Sequence, residues 1–340
     1  MTTQQHTFPE VESTLEQGLT GMSAYYLENH LRPNPGKTQI CSFHLKNREA
    51  KRELDVTWAG IKLENHQHPV YLGVTLDRTL SYKAHIQKTR AKVSTRNSLL
   101  RQLTNSKWGA HPSTLRTSAL ALCFSTAEYA CPAWSRSCHA CKLDPILNET
   151  CRIVTGCIKT TPVQCLYALS GIAPPDIRRT VITKAERTKQ AIDNRHLLHE
   201  HSAVRKRLGS RSSFLDTSEA LETTPTDART TEWQKQWNSL GSQAAQWKER
   251  GITPDECLAT GHDQPWAVWK TLNRLRVGEG RCKASMKKWN ITTSDACACG
   301  EPQTMEHLMN CTQAPQCTGD DLAEPTAAAL ACANHWKDEI

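Results

Sequence analysis

Residues 297–311 read CACGEPQTMEHLMNC, and the reading of this stretch decides how the C-terminal part of the chain folds. Three thiols and an imidazole are spaced Cys297-x-Cys299-x7-His307-x3-Cys311. That is the soft donor set of a closed, tetrahedral Zn2+ site. Gly300 permits a tight turn after Cys299, and Glu306-His307-Leu308 reads as the start of a short helix. A metal here would supply folding energy to a segment too small to fold alone. The competing reading is coincidence, because the chain holds fifteen cysteines and C-x-C is a less usual opening than C-x2-C. Cys317 is available as a substitute ligand.

Working outward, the chain is 340 residues long and carries a formal net charge of +8, which favours a polyanionic partner. No apolar run approaches the length of a membrane span, and no signal-peptide core follows Met1. The expected setting is the cytoplasm or nucleus, without secretion and with the thiols reduced. Cys41, Cys123, Cys157 and Cys165 have apolar neighbours and read as small core residues. Cys138-x2-Cys141 lacks both a βαβ context and a second ligand pair, so it reads as a bystander.

The N-terminal segment opens with Thr7-Phe8-Pro9-Glu10, a capping box. Val11, Leu15, Leu19, Met22 and Tyr26 then recur at helical spacing, predicting a helix over 8–30. Strand-like runs follow at 38–45, 56–63 (with Ala59-Gly60 as a turn or bulge) and 70–76. Helix followed by strands predicts an α+β unit over residues 1–81. Helical signals dominate 82–208, a polar tract at 209–231 reads as a linker, and tryptophans from Trp233 onward mark a third, helical region over 232–292. The Cys/His segment occupies 293–318 and a tail 319–340.

Between Asp77 and Glu128 there are nine Lys or Arg and no acidic residue. Lys83, Lys88, Arg90, Lys92, Arg96 and Arg101 are therefore candidate phosphate contacts, the alternative being a solvated helix surface. Asp320-Asp321 would suit a metal pair, but no apolar strand leads into it, so it reads as a solvated acidic turn.

Several words in the sequence are familiar: NHLRPNPGKT at 29–38, VYLGVTLD at 70–77, AEYACPAW at 127–134, GIAPPDIRR at 171–179 and LNRLRVG at 272–278. Together with the Cys/His segment, and in this order, they resemble the reverse transcriptase of jockey-like non-LTR retrotransposons. The resemblance implies the end of an α+β palm, a mostly α thumb, and a C-terminal helical region with a zinc-knuckle-like segment. It implies RNA-directed DNA polymerase as the family activity and an RNA, RNA–DNA or DNA template–primer as partner.

Carried over residue by residue, Lys37 falls on the palm lysine near the triphosphate of the incoming nucleotide. Tyr71, Leu72 and Gly73 fall on the primer grip, and the basic residues from Lys83 to Arg101 on the duplex-gripping thumb. The Cys/His segment falls on the RNA-binding knuckle. The family's Tyr/Phe-x-Asp-Asp turn, which binds catalytic Mg2+, would precede the first helix and has no counterpart here. The resemblance thus implies a chain that lacks its Mg2+ ligands and is inactive alone; the alternative is a nucleic-acid-binding remnant with no enzymatic role.

Overall fold

The computed structural model describes residues 1–105, 108–201, 214–217 and 219–340. Residues 202–213 and 218, which include the start of the predicted linker, lie outside the described residues. Contacts divide the chain into two units, one built mainly from residues 1–87 and a larger one from residue 88 onward. No helix among the described residues is long and apolar enough to cross a membrane.

The first unit begins with α1 (Phe8–Glu28), whose entry is held where the Thr7 amide donates to Glu10 Oε2 at 3.1 Å. The predicted helix ends two residues early, and His30 turns into the left-handed region at φ 53°. The strand-like runs shrink to two-residue strands: β1 (Gln39–Ile40), β2 (Thr57–Trp58), β3 (Ile61–Lys62), β4 (Glu64–Asn65), β5 (Val70–Tyr71) and β6 (Val74–Thr75). They form three two-stranded pairs, β1–β4 parallel, β2–β3 and β5–β6 antiparallel. Both hairpins close on two residues of positive φ, Ala59-Gly60 (49° and 76°) and Leu72-Gly73 (46° and 80°), the backbone of a type I′ turn.

Side chains of α1 hold the β2–β3 hairpin. Glu12 and Glu16 accept from the amides of Asp55 and Thr57, and the Trp58 indole donates to Ser23 Oγ at 2.7 Å. Phe8, Leu19, Leu54, Val56, Trp58 and Leu63 form the small core beneath. Cys41, expected in the core, is only half-buried.

The larger unit is helical. It comprises α2 (Lys83–Gln102, entered from the first unit), α3 (Pro112–Ser118), a π-helical turn over Ala119–Phe124, α4 (Ser125–Glu128), α5 (Cys131–Trp134), α6 (Asp144–Thr155), α7 (Val163–Ser170) and α8 (Pro175–Ile192). There follow α9 (Phe214–Thr217), α10 (Pro225–Asn238), α11 (Ser242–Glu249), α12 (Trp266–Val277), α13 (Lys283–Lys288), α14 (Met305–Asn310), α15 (Gly319–Ala323) and α16 (Ala327–Trp336). The last part of the expected linker is thus the first half of α10.

The regions expected as separate, 82–208 and 232–292, share one core. Val93, Leu115, Phe124, Val154 and Leu166 pack in the same cluster as Trp233, Trp237, Trp266 and Trp269. Trp289 is the exception among the expected core tryptophans, 39% exposed. A second core joins Val268, Leu272 and Leu275 of α12 to the Cys/His segment and to Leu322, Cys332 and Trp336. Residues 319–340 are therefore a folded closure rather than a tail.

Helix α12 links the two cores, and ten of its twelve residues are buried, as suits a helix covered on all sides. It also satisfies the open end of α6, whose last carbonyls have no partner within their own helix. The Trp269 indole donates to Val154 O at 3.2 Å, Asn273 Nδ2 to Thr155 O at 2.9 Å and Arg274 Nε to Gly156 O at 2.9 Å.

Candidate metal centre and nucleic-acid contacts

The Cys/His segment folds as a tight turn followed by a helix. Ala296 and Pro302 pair as an antiparallel bridge, the Cys297 amide donates to Glu301 O at 2.8 Å, and the Gly300 amide returns to Cys297 O at 3.0 Å. Gly300 sits at φ 94°, a conformation that a side chain would strain. Thr304 caps α14 by accepting from the His307 amide at 3.1 Å, which sets the histidine on the first turn. Cys311 takes the other end of α14, at its C-cap.

These local constraints bring the four ligand atoms of Cys297, Cys299, His307 and Cys311 within 4.8 Å of one another. Cys297 Sγ and Cys311 Sγ are 3.9 Å apart, and Cys299 Sγ is 3.3 Å from His307 Nε2. A tetrahedral thiolate site with metal–sulfur bonds of about 2.3 Å has S···S edges of roughly 3.8 Å. The donor set and its spacing fit a four-coordinate metal ion.

Burial works against the Cys297 thiolate, but the Cys299 amide and the side chains of His307, Cys299 and Cys311 outweigh it and bring the thiol down to about 7. Burial and the neighbouring thiols push Cys311 the other way. Cys317 is not one of the four. It is buried against Cys332, and its amide donates to Met309 O at 3.0 Å. Cys138 and Cys141 join no metal-competent group among the described residues.

Asp77 accepts from the amides of Thr79 (3.1 Å) and Ser81 (3.0 Å) and from both of their hydroxyls, forming the turn that leads into α2. Burial alone would raise its pKa, yet these bonds hold it below the ordinary carboxylate value. Asp321 is likewise a cap, accepting from the Thr318 amide at 2.9 Å ahead of α15. The expected acidic turn is thus a helix start.

The candidate phosphate contacts divide along α2. A 3.6-residue period puts Lys88, Lys92 and Arg96 on one flank and Lys83, Arg90 and Arg101 on the other. The buried Ile86, Val93, Asn97 and Leu100 run between them. Arg96 is turned inward, donating to Leu122 O at 2.6 Å, and Arg101 pairs with Glu149 at 2.7 Å. Lys83, Lys88, Arg90 and Lys92 are exposed and form no ion pair among the described residues.

In the first unit, Lys37 is exposed beside a cleft of about 520 Å3 whose wall includes Leu15, Leu19, Met22 and Trp58. Tyr71 and Leu72 stand at a hairpin tip, 68% and 74% exposed, and together with Gly73 are not part of that cleft.

Other familiar words turn out to be joints of the fold. Glu128 and Arg178, fifty residues apart, make a two-pronged ion pair, with Arg178 Nη2 donating to Glu128 Oε2 at 2.9 Å. Arg276 is wholly buried and donates to Leu322 O at 2.9 Å and Thr260 O at 2.8 Å. Sequence reasoning passed over a second basic group, Lys159, Lys270, Arg274 and Arg281. Its members are scattered over more than a hundred residues among acidic ones and leave no local charge signal. No protein-family profile matches the chain, and neither does any curated protein or solved structure.

Proposed function

We propose that the chain is a nucleic-acid-gripping part of a reverse transcriptase of the non-LTR retrotransposon type, corresponding to the end of the palm, the thumb and a C-terminal knuckle. In this reading the free cations of α2 hold the phosphates of a template–primer duplex. Cys297, Cys299, His307 and Cys311 hold a structural Zn2+, which closes the knuckle and takes no part in chemistry. Lys37 and the Tyr71–Gly73 tip keep their family assignments as triphosphate and primer contacts.

The observation that carries the reading is the exposure of Lys88, Arg90 and Lys92, without ion pairs among the described residues, in a stretch that holds no acid. Phosphate contacts of this kind release counterions, so affinity must fall steeply as salt rises. Binding of an RNA–DNA hybrid duplex, measured by filter retention from 50 to 200 mM salt, tests it. Three such contacts lower affinity by roughly tens of fold over that range; indifference to salt sinks the reading.

Two-metal phosphoryl transfer needs carboxylates that converge on both ions. Among the described residues the group of three or more metal-competent side chains is the Cys/His set, and Asp77 and Asp321 are occupied as caps. The chain by itself is therefore proposed to bind and not to polymerise. Primer extension on a poly-rA template with Mg2+ checks this: incorporation above that of a Lys37→Ala control would overturn it, and would restore Lys37 as a catalytic group.

A further inference from the structure

The larger unit holds a cleft of about 990 Å3 between the end of α6, one face of α12, the segment around α13 and residues 338–340. Lys159, Lys270, Arg274 and Arg281 line it. Of the carboxylates on its wall, Glu149 is taken by Arg101 and Arg152, and Glu339 accepts from Gln303. Asp338 remains as the counter-charge. Lys159, Arg274 and Arg281 form no ion pair among the described residues, and Arg274 spends its Nε on the carbonyl of Gly156. Lys270 and Arg274 are one helical turn apart on α12, so their charges face the same space.

Gathering these cations is unfavourable without an anion. Burial and then Arg274 push Lys270 down to about 8, with Asp338 opposing them and Arg281 adding a smaller push. Burial and Arg281 likewise depress Arg274. An anion entering the cleft relieves that repulsion, and in a partly enclosed site its attraction is stronger than in water.

The same cleft contains Trp289, the most exposed tryptophan beyond Trp233. Its backbone is held in place. The Trp289 amide donates to Ser285 O at 3.1 Å, fixing it at the end of α13, and the next residue turns to φ 56°. An exposed indole beside guanidinium groups that form no ion pair among the described residues is the combination that stacks a base while holding its backbone. The volume suits several linked groups rather than a lone ion.

We propose that this cleft binds single-stranded nucleic acid, with backbone phosphates on Lys159, Arg274 and Arg281 and a base stacked on Trp289. The site deepens the nucleic-acid reading given above, and it is separate from the α2 contacts assigned to duplex.

The test uses the full chain and two labelled probes, a single-stranded uridine hexamer and an RNA–DNA hybrid duplex, followed by fluorescence anisotropy. Arg281→Glu and Trp289→Ala alter exposed side chains, and near-UV circular dichroism confirms that each variant is folded. Each is expected to weaken the hexamer by about tenfold or more while leaving duplex affinity unchanged. The double variant Lys88→Ala/Lys92→Ala should do the reverse. If both cleft variants bind the hexamer like the parent, the cleft site is overturned, whatever the duplex does. Hexamer binding that responds to the cleft variants, with no duplex binding at all, would sustain the cleft and sink the α2 reading. Displacement of the hexamer by an equal concentration of AMP would overturn the assignment to a strand.

Discussion

Cys299 Sγ stands 3.3 Å from His307 Nε2, one ligand on the turn closed by Gly300 and the other on the first turn of α14. That turn also carries the second core. Leu308 and Met309 are buried in it, and Leu308 O accepts from the Trp336 indole at 2.9 Å. One metal per chain is expected by elemental analysis. A chelator, or His307→Ala, should loosen α14 and release Trp336, lowering the thermal midpoint and the near-UV dichroism together. A chain without stoichiometric metal, folded equally well in chelator, defeats the metal centre.

The Glu128–Arg178 pair has side chains only 14% and 15% exposed. Taking away one partner leaves a poorly hydrated charge, which costs about 3–5 kcal/mol. Glu128→Ala should lower stability to urea by that order. Replacing both partners with apolar residues of similar size, Glu128→Leu with Arg178→Met, should recover most of the loss. A double variant as weak as the single one would mean the pair contributes beyond relief of a stranded charge.

For the α2 cations, Lys88→Ala/Lys92→Ala removes two phosphate contacts. The slope of log affinity against log salt on hybrid duplex should shrink by about 1.8, or roughly 0.9 per contact. Arg101→Ala should change it little, because Arg101 is engaged with Glu149. Equal slopes for parent and double variant would place the duplex elsewhere.

Lys270 carries a pH signature. Its folded-state pKa lies at about 8, below the unfolded value of roughly 10.4. Between those values the unfolded chain holds more protons, so stability rises with pH across the window and levels above it. Below about 8 the penalty of the charged amine is constant. Lys270→Met should remove this component, giving a flatter profile of denaturant midpoints between pH 8 and 10 than the parent shows. Parallel profiles would mean that the amine is relaxed by solvent.

Much of the candidate metal site was legible because it is local. The four ligands lie within fifteen residues, and Gly300 and the turn into α14 need nothing from elsewhere. The same holds for the Thr7–Glu10 cap and the Ala59-Gly60 turn, which bond or bend within a few residues. The strand runs were overread, since side-chain pattern marks a residue as able to pair but says nothing of how much partner strand is present. Two-residue ladders are what the first unit forms.

By itself, the sequence determined where helices start, which turns bend back, and which thiols can meet one ion, because neighbours along the chain are neighbours in space. Only the tertiary structure decided the fate of each charge and each indole. Arg101 meets Glu149 across 48 residues, while Lys88 meets no acid among the described residues. Trp269 is sealed beneath α6, while Trp289 is left at a cleft. The cores that join residues 82–208 to the tryptophan-rich region and residues 319–340 to the Cys/His segment were equally unreadable. Burial depends on which distant segment packs above a residue, and no spacing along the chain encodes that.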